Sequence, residues 1–223
     1  MSTVEGLVEV RWTPLLEKYF SDTGEKANCY SWMHKQAEQL YSYRSTFIDL
    51  PVIILSVLNG ATSVGSSSLF GDSQFASVGI GIVALFTAVL NTIGSYFGWA
   101  RRAEAHKISS FQYAKLYRYI KVEMGLPRDE RALPREFLKS VKEQYDRLAE
   151  VSPLIPPIIL SQFRNKFSHE TFKEISFPEE ADGLTEIVVY DPKKDKEAQE
   201  AKLTNEVVTL ATVDSDKNQV DIE

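Results

Sequence analysis

Cysteine is almost absent from this 223-residue chain: Cys29 stands alone, so no intramolecular disulfide can hold the fold. A free thiol suits the reducing side of a membrane. Histidine is also scarce. His34, His106 and His169 lie in three separate regions, without the spacing of a metal-binding helix. His34 is near Cys29 but has no orienting acid at a recognisable spacing. His106 is expected to be a packing or interfacial histidine bonded to the pre-membrane helix. There is no glycine-rich loop followed by lysine for nucleotide phosphates, and no broad basic patch for nucleic acid. These absences leave no residue set for catalysis, so neither an enzyme nor a cofactor is expected. Met1–Gly6 lacks the basic start of a signal peptide, so the first apolar segment is expected to direct insertion.

The most informative absence is of charge. Phe75–Trp99 contains no charged residue in 25 positions. About 20 largely apolar residues suffice to cross about 30 Å of hydrocarbon, so this segment is long enough to span with tilt. Phe47–Val64 has Asp49 as its only charge, and reaches spanning length when its flanks are included. Pro51 near its start is compatible with a membrane helix. Between the segments lies Gly65–Gln74, GSSSLFGDSQ, which has no Lys or Arg and Asp72 as its single charge. So short a connection makes the helices antiparallel neighbours. Lys35 and Arg44 precede the first helix, whereas Arg101, Arg102 and Lys107 follow the second. The positive-inside rule therefore places both termini in the cytoplasm. Tyr96, Phe97 and Trp99 beside Arg101 and Arg102 form an aromatic and basic membrane boundary.

The expected fold is an all-α membrane protein, a two-helix transmembrane hairpin with long cytoplasmic helical extensions in an oligomeric bundle. N-terminal cytoplasmic helices occupy 1–44, with Gly24 as a break between a short helix around Trp12–Tyr19 and a second over Lys26–Ser45. The first transmembrane helix covers 45–65, the extracytoplasmic loop 66–74 and the second transmembrane helix 75–99. The second is expected to continue without interruption to Met124, with Ile108, Phe111, Leu116, Tyr119 and Ile120 as packing positions, because no Gly or Pro intervenes between Trp99 and Glu123. The cytoplasmic helical domain covers 100–166. Within it, Pro134 opens a helix to about Val151, with Phe137, Val141, Tyr145, Leu148 and Val151 as its apolar stripe. The apolar, proline-rich 154–160 is too short to span, and is expected to pack on the cytoplasmic helices or the membrane surface. From Glu170 onward there are 15 acidic and 6 basic residues, against 16 and 19 before it. The tail, 167–223, is therefore read as an acidic appendage, partly disordered or holding a small hairpin of Thr185–Tyr190 with Glu206–Val213.

Along the second apolar segment, Ser77, Gly81, Ala84, Ala88, Asn91, Ser95 and Gly98 recur at spacings of four and three, forming one stripe of small and polar residues. In the first segment Asp49, Ser56 and Ser63 repeat every seven residues, with Asn59 near the same face. Close helix packing accounts for such stripes, since small residues let backbones approach. A pore wall built from several copies also accounts for them. In that case Asn91, Thr87 or Ser95 would form a polar constriction, Asp49 would gather cations at the cytoplasmic mouth and Asp72 would do so outside.

The stretches Ala105–Pro127, AHKISSFQYAKLYRYIKVEMGLP, and Phe137–Leu160, FLKSVKEQYDRLAEVSPLIPPIIL, follow the paired apolar segments. In this arrangement the chain resembles the SLATT family of two-membrane-helix proteins over roughly Trp32–Phe163. The resemblance implies a pore-forming membrane effector and transfers no catalytic residues. The expected function is thus a homo-oligomeric ion channel lined by the second helix, with the bilayer, permeating ions and a cytoplasmic regulatory partner as its contacts. The alternative is a non-conducting oligomeric scaffold whose cytoplasmic helices and acidic tail recruit a partner.

Overall fold

The computed structural model describes residues 11–70, 74–167 and 175–184, together with 186, 187, 189, 191 and 193; for 66–70 and 76 only the backbone is described. Asp72, His169 and both segments of the expected tail hairpin contain or are residues outside this set. Every regular element among the described residues is a helix: α1 Pro14–Phe70, α2 Gln74–Phe97, α3 Trp99–Met124, α4 Pro134–Val151, α5 Pro157–Lys166 and α6 Glu179–Asp182. Two long stretches, Pro14–Gly65 and Ser77–Met124, are long and apolar enough to cross a membrane.

α1 starts where Thr13 Oγ1 accepts a hydrogen bond from the Leu16 N–H at 3.2 Å, with Pro14 at the first helical position. It then runs for 57 residues. The break expected at Gly24 does not occur, and the two N-terminal helices are the beginning of α1. Gly24 serves close approach: a Cβ there would lie 3.3 Å from Ile120 Cγ2. Pro51 is accommodated within α1. The helix also takes up Gly65–Phe70, which shortens the expected loop.

The helix expected to run unbroken to Met124 is interrupted at Gly98, whose φ is +57°. Its N–H donates to the Gly94 carbonyl, and its own carbonyl accepts from the Arg102 N–H, at 3.0 and 3.1 Å. Helical bonding thus reaches the bend from both sides. A side chain at this left-handed φ costs about 1–2 kcal/mol. Gly98→Ala is therefore expected to lower stability by that amount or to straighten the junction; thermal unfolding in detergent micelles, with spin-label distances across the bend, checks it.

The chain divides into two compact units. The first draws its described residues from Met1–Ala27, Leu116–Asp146 and Glu174–Glu223. Its core is Phe20, Ala27, Leu116, Ile120, Phe137 and Val141. Phe20 meets Phe137 edge-on with ring centroids 4.6 Å apart, and Trp12 and Tyr119 complete the cluster around Phe137. Glu17 receives two hydrogen bonds from Arg128 and one from Arg131, while Arg131 also donates to the Leu126 and Met124 carbonyls. Ser176 binds back onto α1, its N–H donating to Glu25 and its hydroxyl to Asp22.

Hydrogen bonding from Arg128 is the main force holding the Glu17 carboxyl down, to about 2 from an ordinary 4.5; burial opposes it and Arg131 adds to it. A depressed carboxyl pKa stabilises the fold above the unfolded value, and that stability is lost as pH falls from 4.5 toward 2. Glu17→Gln is expected to flatten this part of the acid-stability profile. Tryptophan fluorescence against denaturant at several pH values measures it, since Arg131 lies over the Trp12 ring.

The second unit draws its residues from Asn28–Lys115 and Arg147–Lys173. Met33, Ala37, Ala103, Tyr113, Ile159 and Phe163 form its core. α5 is docked by Phe163 and by Phe167, just beyond its end; both meet the Trp32 ring. On α3, Leu116 and Ile120 are buried as expected, but Ile108, Phe111 and Tyr119 are exposed. Small and polar residues replace them in the contact: Ala103, His106, Ser109 and Ser110 are buried beside Tyr113. α4 matches its expected bounds and buries Phe137, Val141 and Leu148, while Val151 at its end is exposed.

Candidate functional site: the two-sided helical hairpin

The antiparallel register of α1 and α2 is fixed at Gly94, where a Cβ would lie 3.4 Å from Ile48 Cγ2 and 3.6 Å from Asp49 Oδ1. The more covered positions repeat at threes and fours on both helices. On α1 they are Ile48, Val52, Leu55, Asn59 and Thr62; on α2 they are Ile80, Ala84, Thr87, Leu90 and Gly94. This seam has the spacing of a left-handed helix pair.

A residue one step beyond a covered position lies about 100° further round its helix. Because the helices run in opposite directions, that step turns toward the same side of the hairpin in both. On α1 it gives Asp49, Ile53, Ser56, Gly60 and Ser63; on α2 it gives Gly81, Leu85, Ala88, Asn91 and Ser95. All ten are exposed. One step before a covered position leads to the opposite side, which carries Phe47, Ile54 and Ala61 on α1 and Gly79, Phe86 and Ile93 on α2. The hairpin thus has one side of mostly small and polar residues, with Ile53 and Leu85 among them, and one mainly apolar side.

The stripe read from the sequence lies largely on the polar side. Ser77, Gly81, Ala88, Asn91 and Ser95 are exposed, whereas Ala84 belongs to the seam and Gly98 is half-buried at the bend. Of the first-helix positions, Asp49 and Ser56 join this side, and Asp49 accepts a hydrogen bond from the Ser45 hydroxyl. Asn59 instead enters the seam, where its Oδ1 is buried with no hydrogen-bond partner among the described residues. Thr87 is buried in the seam too, its hydroxyl donating to the Val83 carbonyl at 2.8 Å. Seam packing does not explain the glycine at 81, since a Cβ there, as at Gly60 and Gly79, would meet nothing within 4 Å.

Below the hairpin, Phe97 and Trp99 stack with centroids 4.9 Å apart and planes 3° from parallel. Arg101 is exposed, while the Arg44 and Arg102 guanidinium carbons stand 5.9 Å from the Tyr41 ring centre. Cations at that distance are attracted by the ring quadrupole.

Linear spacing gave no indication that two of the scattered histidines meet. His34 on α1 and His106 on α3 are joined in the second unit, Nδ1 to Nδ1 at 2.8 Å. The only available signal was the expectation that His106 bonds the pre-membrane helix. Among the described residues, no three His, Cys, Asp or Glu side chains gather to hold a metal ion.

Together these features define an all-helical protein with two helices long and apolar enough to cross a bilayer. No family model, curated protein or solved structure matches the chain.

Proposed function

We propose that this chain is an integral membrane protein and that several copies assemble, polar sides inward, into an ion-conducting pore lined chiefly by α2. The observation that carries the reading is the two-sided hairpin: Asp49, Ser56, Gly81, Asn91 and Ser95 are uncovered together on one side, where Ile53 and Leu85 are the only large apolar residues, opposite Phe47, Ile54, Phe86 and Ile93. Apolar side chains are cheap against lipid, whereas polar groups facing hydrocarbon are costly. One hairpin in a bilayer would leave the polar side against lipid tails. Assembly turns that side toward its copies or toward water, and Gly81 and Ala88 leave room for close approach.

Both termini face the cytoplasm in this proposal, because Lys35, Arg44, Arg101, Arg102 and Lys107 flank the hairpin at its open end and the 66–74 connection carries no basic residue. Asp49 then stands at the cytoplasmic mouth, where a ring of carboxylates attracts cations. The resemblance to the SLATT family points the same way. Purified protein in planar bilayers is expected to give discrete, cation-selective conductance, with an oligomer visible in nanodiscs by single-particle microscopy. An oligomer that passes no current above protein-free bilayers would replace the pore with the scaffold reading, and a monomer would overturn both.

A further inference from the structure

His34 and His106 are only 1% and 2% exposed. With their Nδ1 atoms 2.8 Å apart, one ring must donate a proton and the other must accept with its lone pair. Aromatic rings close the pair from both ends. Tyr113 stacks on His34 at 5.5 Å and 10°, and Tyr41 stacks on His106 at 5.4 Å and 15°. Nearby, the Ser31 hydroxyl donates to the Ser110 carbonyl and the Ser110 hydroxyl donates to the Ser31 carbonyl, at 3.0 and 2.9 Å. At least three side-chain hydrogen bonds thus join α1 and α3, and the histidine bond depends on a group that titrates near neutrality.

Counting protons gives the response to acid. The neutral pair carries one proton on each ring. One more leaves the bond in place but buries a cation, and a second makes both Nδ1 atoms donors, so the bond is lost. The influences that act most on the two rings, burial, the His106 ring and Arg102, all oppose such a charge. On α1 the neighbouring ionisable groups are Lys35, Glu38, Tyr41 and Arg44; on α3 they are Arg102, Glu104, Lys107 and Tyr113. Lys35, Arg44, Arg102, Glu104 and Lys107 are exposed, and Glu104 is paired with Lys107. α5 contributes Lys166, held over Trp32, and the last turns of α4 carry exposed Arg147 and Glu150. Burial, and then the neighbouring His106, pushes His34 down to about 4; burial, and then Arg102, lowers His106. A histidine with a lowered pKa stabilises the fold above its ordinary 6.5, and that stability is lost as pH falls toward the folded value. The contact therefore weakens in acid.

Its position gives the weakening a consequence. His106 follows the Gly98 bend by about two helical turns, roughly 12 Å. At Gly98 a Cβ would meet nothing within 4 Å, and the stacked Phe97 and Trp99 rings are the contact that spans the bend.

We propose that the His34–His106 pair is a proton-sensitive latch that holds α3 to α1 beneath the hairpin, and that acidification on this side releases α3 to pivot at Gly98 and changes conduction. The effect on conduction rests on the pore reading, whereas the latch itself does not.

The test uses full-length protein in nanodiscs, with Cys29→Ser and spin labels at the exposed positions Lys35 and Lys107, diluted into unlabelled chain to isolate the intrachain distance. Between pH 7.5 and 4.5 the α1–α3 distance is expected to widen, with the open-to-latched ratio changing by up to about tenfold per pH unit for each proton taken up. The double variant His34→Phe with His106→Phe keeps flat rings between Tyr41 and Tyr113, and is expected to show no widening. Should that variant not fold, His106→Gln supplies a non-titrating hydrogen-bonding partner, and a flattened response is expected there too. An unchanged distance in the wild type, or equal widening in variant and wild type, overturns the latch. Bilayer currents are recorded over the same pH range. Widening without any current supports the latch and counts against the pore, while a pH-dependent current without widening overturns the latch alone.

Discussion

Replacing Asn91 by leucine is expected to reduce single-channel conductance about tenfold or more, while leaving subunit number and folding unchanged. Asn91 is exposed on the polar flank of α2 and outside the seam with α1, so the hairpin does not need its amide for packing. In the assembled pore the amide would face the water path, where it replaces part of the hydration of a passing ion. A circle of leucine side chains, one from each copy, at the same level is bulky and apolar, and hydrophobic constrictions block by dewetting. A tenfold loss corresponds to about 1.4 kcal/mol of added barrier, a modest amount for removing a ring of polar groups. Paired measurements of bilayer current and particle stoichiometry are required. Equal conductance in wild type and variant would remove Asn91 from the path. Loss of the oligomer itself would make the residue a packing contact between copies. Ala84→Leu gives the contrasting control: Ala84 lies in the seam, so overfilling it should cost about 1–3 kcal/mol of stability before it affects current.

The largest effect on stability is expected at Phe20. Its side chain is 0% exposed, and its ring meets those of Trp12, Tyr19 and Phe137. Phe20→Ala removes the centre of this cluster and leaves a cavity among the Trp12, Tyr19 and Phe137 rings. Such truncations cost about 3–5 kcal/mol. Chemical unfolding in detergent, followed through tryptophan fluorescence, would show the loss as a lower midpoint. Phe20→Leu, which keeps most of the volume, should lose clearly less. A variant as stable as wild type would mean that the first unit contributes little to global stability.

Elements set by local chemistry were legible in the sequence. Pro134 and the apolar repeat through Phe137, Val141 and Leu148 are sufficient to specify α4, and their spacing carries its own evidence of a buried face. The charge-free run became α2 for the same kind of reason. The failures came where glycine admits two meanings. Gly24 looked like a helix break but is a contact site, because the partner that fills the space, Ile120, is nearly a hundred residues away. Gly98 looked like one more small residue in a stripe but is a bend, because its positive φ is a property of the folded backbone. Apolar spacing also misplaced the packing face of α3, where Ile108 and Phe111 are exposed and His106, Ser109 and Ser110 are buried. Their polar atoms are affordable inside only when partners are present, and at least His106 and Ser110 find theirs on α1, at His34 and Ser31.

By itself the sequence determined the helical class, the two long apolar helices and the stripe along the second, because hydropathy and helical period are written in neighbouring residues. Only the tertiary structure decided that Asp49 and Ser56 share a side with Gly81 and Ser95, since that depends on the antiparallel register fixed at Gly94. The histidine pair was decided there as well. Residues 34 and 106 have no local relation, and they meet because the hairpin folds α3 back along α1 until two buried rings must share a proton.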